Sequence, residues 1–159
     1  MGIALGSWVA SSFIDRIKRG YAYFGLFSGL IGFWLFLTVK VFEELPFWYL
    51  KIFGFFESLE FSAIVFGQFI LTTLIIFPAT FLMGVIFPLG IKLANPSAGK
   101  LGEGICRLYF VNTSGGVLGS LVAGFFLLPL FGFQKTLIFI LLVYFLLAVF
   151  FVLKEKSLD

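Results

Sequence analysis

The sequence predicts an all-α membrane protein: a polytopic bundle of about five transmembrane helices that forms a single domain, residues 1–159. Composition is the first observation behind this prediction, because 61% of the 159 residues are hydrophobic, 21% are aromatic and only 12% are charged. Soluble domains carry ~25% charged residues, and one of this size could not bury 25 phenylalanines behind so little polar surface. Long charge-free stretches, with charges clustered between them, are the second observation.

Charge-free stretches place the spans at approximately residues 2–14, 21–39, 61–91, 108–131 and 136–153. The first is short, since about 14 helical residues rise ~21 Å against ~30 Å of hydrocarbon. The third is too long for one upright helix, and we expect Pro78 and Pro88 to kink or break it. Pro129, with a turn at residues 132–135, is expected to close the fourth.

The start of the chain and the segment at residues 43–60 need separate interpretations. Basic residues follow the first apolar run, whereas in a signal peptide they precede it. The short first span therefore predicts that an upstream piece is missing or that Met1 is a late start. Residues 43–60 mix glutamates with Trp48, Tyr49 and several phenylalanines, which favours a short helix lying in the membrane interface.

The distribution of basic residues predicts the orientation. The loops after spans one and three, together with the C-terminal tail, hold eight of the 11 basic residues: Arg16, Lys18, Arg19, Lys92, Lys100, Arg107, Lys154 and Lys156. These three segments fall on one side of a five-span protein, and the positive-inside rule makes that side cytoplasmic. We therefore expect a bacterial-type inner-membrane protein with its N-terminus outside and its C-terminus in the cytoplasm.

Small residues recur at every fourth position in three spans. Such spacing lines them up on one helix face, where neighbouring backbones can approach closely. The predicted helix-packing residues are Gly2, Gly6, Ala10, Gly25, Gly29, Gly115, Gly116, Gly119, Ser120 and Gly124. Tight packing within the bundle is the favoured interpretation, and a sliding contact of the kind transporters use is the alternative.

A few polar residues lie in or beside the spans. Asp15 and Arg16 follow the first span, where they either fix topology or pair with a neighbouring helix. Gln68, Asn112 and Thr113 lie within spans three and four. They are expected either to hydrogen-bond between helices or to line a polar cavity near the cytoplasmic face.

The sequence carries no recognisable catalytic or cofactor motif. Histidine is absent and Cys106 is the only cysteine, so the commonest general base and zinc ligand are missing and an internal disulfide is impossible. The net charge is +3, and the basic residues lie between apolar runs rather than beside exposed aromatic residues, which argues against nucleic-acid binding. We expect no enzyme activity in this chain by itself, no cofactor and no metal, and the lipid bilayer as its main partner.

Three segments together resemble the membrane domain of the fused, membrane-bound spermidine synthase-like proteins of bacteria. They begin with residues 2–7 leading to Ile14, Asp15 and Arg16, and continue with residues 78–84 followed by 87–89. The third segment contains Arg107, Leu108, Tyr109, Asn112, Thr113, Gly115, Gly119, Ala123, Gly124, Leu128, Pro129 and Gly132. In that family a bundle of hydrophobic helices precedes a cytoplasmic aminopropyltransferase domain of Rossmann-like methyltransferase fold.

The resemblance implies a membrane anchor or scaffold, with polyamine-related transport or sensing as an extension of that role. A cytoplasmic aminopropyltransferase-like subunit, or a second copy of the chain, would be its protein partner. The family's enzyme half does not follow Asp159, so no catalytic residue carries over. The alternatives are a fragment or half of a major-facilitator-like transporter, and a truncated inactive product.

Overall fold

The computed structural model describes residues 1–17, 19–54, 61–94 and 101–157, and this part of the chain is almost entirely helical. Its five α-helices are joined by a 3₁₀ turn after the first helix and a π-helical segment after the fourth. They are α1 (Gly2–Phe13), the 3₁₀ turn Ile14–Arg16, α2 (Gly20–Gly54), α3 (Phe61–Ala94), α4 (Leu101–Val122), the π-helical segment Ala123–Leu127 and α5 (Leu128–Lys156).

Three helical stretches are long and apolar enough to cross a membrane: Gly20–Val41, Val65–Ala94 and Gly102–Lys156. The helices therefore fit a membrane protein, but the prediction of five separate spans is not supported. The 12 residues of α1 rise only ~18 Å, less than the thickness of the hydrocarbon. The predicted fourth and fifth spans follow each other in one apolar stretch of 55 residues without an intervening loop, and its backbone is non-helical at Gly132.

The prediction of a separate interfacial helix at residues 43–60 is wrong for its described part. Residues 43–54 continue α2, which extends without interruption to Gly54, and residues 55–60 lie outside the described residues. The physical reason is that Lys, Glu and Leu are good helix formers, so a cluster of charges ends an apolar stretch without ending the helix.

Helix α3 passes unbroken through both of its prolines. It contains 34 residues, with Pro78 and Pro88 in its interior, so the alternative of two half-helices is wrong. Each proline lacks an N–H and leaves the carbonyl four residues earlier without its usual donor. A membrane helix tolerates such prolines when side chains from neighbouring helices hydrogen-bond the freed backbone groups.

The long run from α4 to α5 stays helical through Pro129 and changes direction at Gly132, within the turn expected at residues 132–135. Gly132 has φ 75° and ψ 172°, a backbone conformation that glycine adopts readily because it has no Cβ. Thr136 is buried beside it, and its hydroxyl donates to the Gly132 carbonyl at 2.7 Å. Both ends of the run return to the same end of the bundle, since Leu108 lies against Gly90 and Val152 lies against Gly25.

The helices pack in a simple pattern around a small core. Helix α1 runs parallel to α3, whereas α2 runs antiparallel to both α3 and α5. Ile31 and Leu89 are among the few fully buried large side chains. Most phenylalanines and leucines face outward, as expected for a surface that lipid solvates.

Candidate functional site

Four helix ends meet at one end of the bundle, which we call the basic end: the C-termini of α1, α3 and α5 and the N-terminus of α2. Contacts between Gly20 and Leu93 and between Phe24 and Phe151 hold α2 against α3 and α5 there. All three basic segments predicted from the sequence reach this end, because Lys92 contacts the linker after α1 and Lys154 contacts the start of α2. Lys18 and Lys100 lie outside the described residues.

Lys92 of α3 caps the C-terminal end of α1. Its ammonium group donates to the carbonyl of Ile14 at 2.7 Å and to the carbonyl of Ile17 at 3.0 Å. Carbonyls at the end of a helix lack intrahelical donors and carry the negative end of the helix dipole, so a cation there is stabilising. The cap ties the linker between α1 and α2 to α3.

Glu155 of α5 makes the reciprocal contact at the start of α2. One of its carboxylate oxygens accepts from the backbone N–H of Ala22 at 3.0 Å, which places an anion at the positive end of a helix dipole. The neighbouring Lys154 ammonium lies 4.7 Å from the centre of the Tyr21 ring, within the range of a cation–π interaction. One end of α5 is thereby fixed to the first turn of α2.

The first small-residue stripe lies against α3 at a very close helix crossing. A Cβ at Gly6 would overlap the carbonyl oxygen of Phe81, and a Cβ at Gly84 would overlap the carbonyl of Ile3. A Cβ at Gly2 would likewise overlap the Thr80 side chain, and Ala10 is 1% exposed. Backbone therefore contacts backbone here, which only glycine permits.

Ser7 joins the same two helices by a hydrogen bond whose acceptor Pro88 makes available. The Ser7 hydroxyl donates at 2.9 Å to the carbonyl of Gly84, four residues before Pro88. In an uninterrupted helix that carbonyl would accept from the N–H of residue 88, which proline does not have. The α1 side chain thus replaces the missing backbone donor of α3.

Trp34 makes a related contact near the other proline of α3. Its indole N–H donates at 2.8 Å to the carbonyl of Ile75, three residues before Pro78. A proline crowds the carbonyls of the preceding turn, and an indole N–H from a neighbouring helix supplies a donor to one of them. Both prolines of α3 therefore lie beside a side-chain donor from another helix.

The second stripe lies between α2 and α5. A Cβ at Gly25 would come within 2.8 Å of the Ala148 carbonyl oxygen, whereas Gly29 leaves room for ordinary contact with the Ala148 side chain. Gly32, one turn further, lies near Tyr144 and extends the stripe beyond the sequence prediction. The interface is tightest nearest the basic end.

The third stripe, on α4 and the π-helical segment, has no such neighbour in the described part of the chain. A Cβ at any of its glycines would meet no atom within 4 Å: these are Gly115, Gly116, Gly119 and Gly124. Ser120 is exposed and its hydroxyl donates to the Val117 carbonyl of its own helix. Packing within the bundle, the favoured interpretation of this stripe, therefore stays a prediction, since these glycines make no close contact with the described helices.

The polar residues singled out from the sequence are not brought together in one cavity. Gln68, Asn112 and Thr113 are exposed, on two different helices. The Asp15 side chain lies outside the described structure. Arg16 is exposed and lines a cleft of about 500 Å³ at the linker between α1 and α2, which we call the linker cleft; its described lining is Phe13, Arg16, Ile17, Arg19 and Tyr23.

Several residues that hold the helices together were not singled out from the sequence. Lys92 was assigned only to a basic loop, Glu155 was not considered, and the hydrogen bonds of Ser7 and Trp34 were not anticipated. For Ser7 and Trp34 the sequence holds one local signal: a proline inside an apolar helix leaves a backbone carbonyl that needs a donor from another side chain. Which side chain supplies it depends on the helix packing.

Among the described residues, no group of three or more His, Cys, Asp or Glu side chains could hold a metal ion. Comparison with protein-family models, curated proteins and solved structures finds no match to this chain. The resemblance to spermidine synthase-like membrane domains therefore depends on the three sequence segments quoted above.

Proposed function

We propose that the chain is an integral membrane scaffold that is non-catalytic by itself and holds an aminopropyltransferase-like enzyme at the membrane. The observation that carries this proposal is the construction of the basic end, where Lys92 and Glu155 cap helices to which they do not belong. Cross-capped helix ends form a stiff platform, which suits the attachment of a soluble domain. The motif resemblance supplies the identity of that domain.

The orientation proposed with it places the basic end in the cytoplasm and the N-terminus outside, in a bacterial-type inner membrane. Arg16, Arg19, Lys92, Lys154 and Lys156 support this orientation, because basic residues near transmembrane ends favour the cytoplasmic side. A polyamine-synthesising enzyme would find its soluble substrates on that side. Polyamine sensing or transport would be an extension of the same role.

Affinity purification from native membranes tests the scaffold proposal. The tagged chain is extracted in mild detergent, and the recovered material is assayed for aminopropyl transfer to putrescine from decarboxylated S-adenosylmethionine. We expect activity to co-purify, with an aminopropyltransferase-fold polypeptide identified by mass spectrometry. The proposal would be contradicted if the purified chain recovered no aminopropyl-transfer activity while the same cells contained that activity in a soluble protein.

Charge variants at the two ends of the bundle make this experiment specific. Lys154→Gln/Lys156→Gln removes two charges from the basic end, and Lys40→Gln/Lys135→Gln removes two charges from other helix positions. We expect the first variant to lower the co-purified activity and the second to leave it unchanged. An equal loss in both variants would indicate a general effect of charge rather than a platform at the basic end.

The outward-facing glycines of α4 favour a second candidate, half of a major-facilitator-like transporter. Gly115 and Gly119 leave an open helix face that the other half would cover. Uptake of radiolabelled spermidine into proteoliposomes containing only this chain, above that of empty liposomes, would favour the transporter. Liposomes that remain impermeable to spermidine would count against it.

A further inference from the structure

Two apolar hollows lie on the outer surface of the bundle along helix α2. The first has a volume of about 390 Å³ and lies between α2 and α5, in the half of the bundle nearest the basic end. Its walls are aliphatic side chains of both helices and its floor includes a glycine; among these residues are Leu26, Leu30, Val149, Leu153 and Gly29. The hollow therefore offers a hydrophobic surface with no charged group in its walls.

The second hollow has a volume of about 380 Å³ and lies between α2 and α3. Leu30, Phe33 and Trp34 line it from α2, and Pro78 is among its α3 residues. The indole N–H of Trp34 donates to the Ile75 carbonyl, so the ring turns its polar atom toward α3. This hollow is therefore apolar as well, and richer in aromatic surface than the first.

The two hollows meet at Leu30, which lines both of them. Leu26, Leu30 and Phe33 are four and three residues apart, so they form one stripe along α2. One hollow lies on the α5 side of this stripe and the other on the α3 side. Together they form a continuous apolar surface, which we call the α2 groove.

The depth and width of the α2 groove fit an acyl chain. Helix α2 begins at Gly20, so Gly25 and Trp34 lie ~8 Å and ~21 Å along its axis. One leaflet of a bilayer supplies ~15 Å of hydrocarbon, which covers most of this depth. A helix is too wide, because a segment ~10 Å in diameter and ~8 Å long occupies roughly 600 Å³.

A lysine lies at the end of the α2 groove nearest the basic end. Lys156 is exposed and follows Leu153 by three residues, so it continues the α5 wall of the groove by one turn. Lys154 faces the other way. Its ammonium lies 4.7 Å from the centre of the Tyr21 ring, and Tyr21 is nine residues, or two and a half turns, from Leu30.

We propose that the α2 groove binds one acyl chain of an anionic phospholipid, with the lipid phosphate beside Lys156. Apolar walls offer nothing to a free anion, so the chain and the headgroup must belong to one molecule. A basic residue near an anionic lipid strengthens binding about fivefold (~1 kcal/mol). The inference goes beyond the scaffold role and is independent of it, since it requires only that the helices lie in a bilayer.

Quenching of Trp34 fluorescence by brominated lipids tests the proposal. The full-length protein with Trp8→Phe and Trp48→Phe keeps Trp34 as its single tryptophan. It is reconstituted in phosphatidylcholine vesicles, in which the same small fraction of lipid carries brominated acyl chains, as phosphatidylglycerol or as phosphatidylcholine. We expect about a fivefold preference for the brominated phosphatidylglycerol. Equal quenching by the two lipids would overturn the proposal.

Two single-charge variants locate the headgroup. Lys156→Gln and Lys154→Gln remove the same charge from the same helix end, but only Lys156 lies on the side of the groove. We expect Lys156→Gln to abolish the preference for phosphatidylglycerol and Lys154→Gln to retain it. Equal losses in both variants would assign the preference to the general charge of the basic end and overturn the position of the phosphate.

Two apolar variants locate the acyl chain. Leu30→Phe fills the place where the hollows meet, and Leu37→Phe adds the same ring two turns further along the same face of α2; the two leucines are 41% and 37% exposed. We expect only Leu30→Phe to reduce the quenching by phosphatidylglycerol. Unchanged quenching in Leu30→Phe would overturn the proposal. So would quenching that falls as more protein is added per vesicle, because a second copy would then cover this face.

Discussion

Helices α1 and α4 carry similar stripes of small residues but use them differently. The α1 stripe contacts α3 so closely that Gly6 and Gly84 have no space for a Cβ. The α4 stripe contains more glycines, yet Gly115 and Gly119 meet no described neighbour within 4 Å. Small-residue spacing therefore identifies a helix face that permits close approach, but it does not identify what covers that face.

The difference between these two regions lies in the residues around the glycines. In α1, Ser7 and the Lys92 cap add directional hydrogen bonds that fix the register with α3. In α4, the aromatic contact between Phe87 and Tyr109 lies near the start of the helix, and the side chains further along face outward. Directional contacts, rather than glycine content, distinguish the occupied face.

The largest expected effect comes from filling the α1–α3 crossing. Gly6→Leu places a side chain where the Phe81 carbonyl lies, so the helices must separate. We expect a loss of about 3 kcal/mol or more in the free energy of unfolding, at or above the upper end for overpacked cores. Unfolding in mixed detergent, followed by circular dichroism, measures it.

Gly119→Leu is the matched control for this substitution. It adds the same side chain to the α4 stripe and is expected to change the stability of the detergent-solubilised monomer by less than ~0.5 kcal/mol. Equal destabilisation by the two variants would show that the α4 face is as tightly packed as the α1 face.

An intermediate effect is expected from removing the cap on α1. Lys92→Met keeps the apolar length of the side chain but loses the donor to Ile14 and Ile17. We expect a loss of about 1 kcal/mol, within the range for charges at partly buried helix ends. Lys40→Met, at an exposed position of α2, is the control; a Lys92→Met protein as stable as this control would contradict the cap.

The smallest effect should come from Ser7→Ala, and its size should depend on Pro88. We expect a loss of about 0.6 kcal/mol, the average for hydrogen bonds between helices in a membrane protein. In a Pro88→Ala background the new N–H can pair with the Gly84 carbonyl, so Ser7→Ala should then cost less. A double-mutant cycle on unfolding free energies measures this coupling, with Ser11→Ala as the control.

Equal costs of Ser7→Ala in the two backgrounds would mean that Pro88 does not create the need for the Ser7 donor. Ser11 is a suitable control because its hydroxyl donates to the Trp8 carbonyl within α1. Its replacement should cost the same whether residue 88 is proline or alanine.

The sequence predicted the helical class and the positions of α2 and α3 well, because hydropathy depends on local composition. It failed where helices continue past charges, as α2 does to Gly54, whereas the turn expected at residues 132–135 coincides with the non-helical backbone of Gly132. The caps made by Lys92 and Glu155 were also beyond local prediction. Each joins groups more than 70 residues apart, so its partner is defined only by the packed fold.

The central claim is that this chain is a transmembrane bundle whose basic helix ends lie in one compartment. Its most direct test is labelling of single cysteines with a membrane-impermeant maleimide in sealed inside-out vesicles, after Cys106→Ala removes the only native cysteine. Lys135 and Lys156 are about 30 Å apart along α5. We predict that Arg19→Cys and Lys156→Cys are labelled while Lys135→Cys is protected; labelling of Arg19→Cys and Lys156→Cys from opposite sides would contradict the claim.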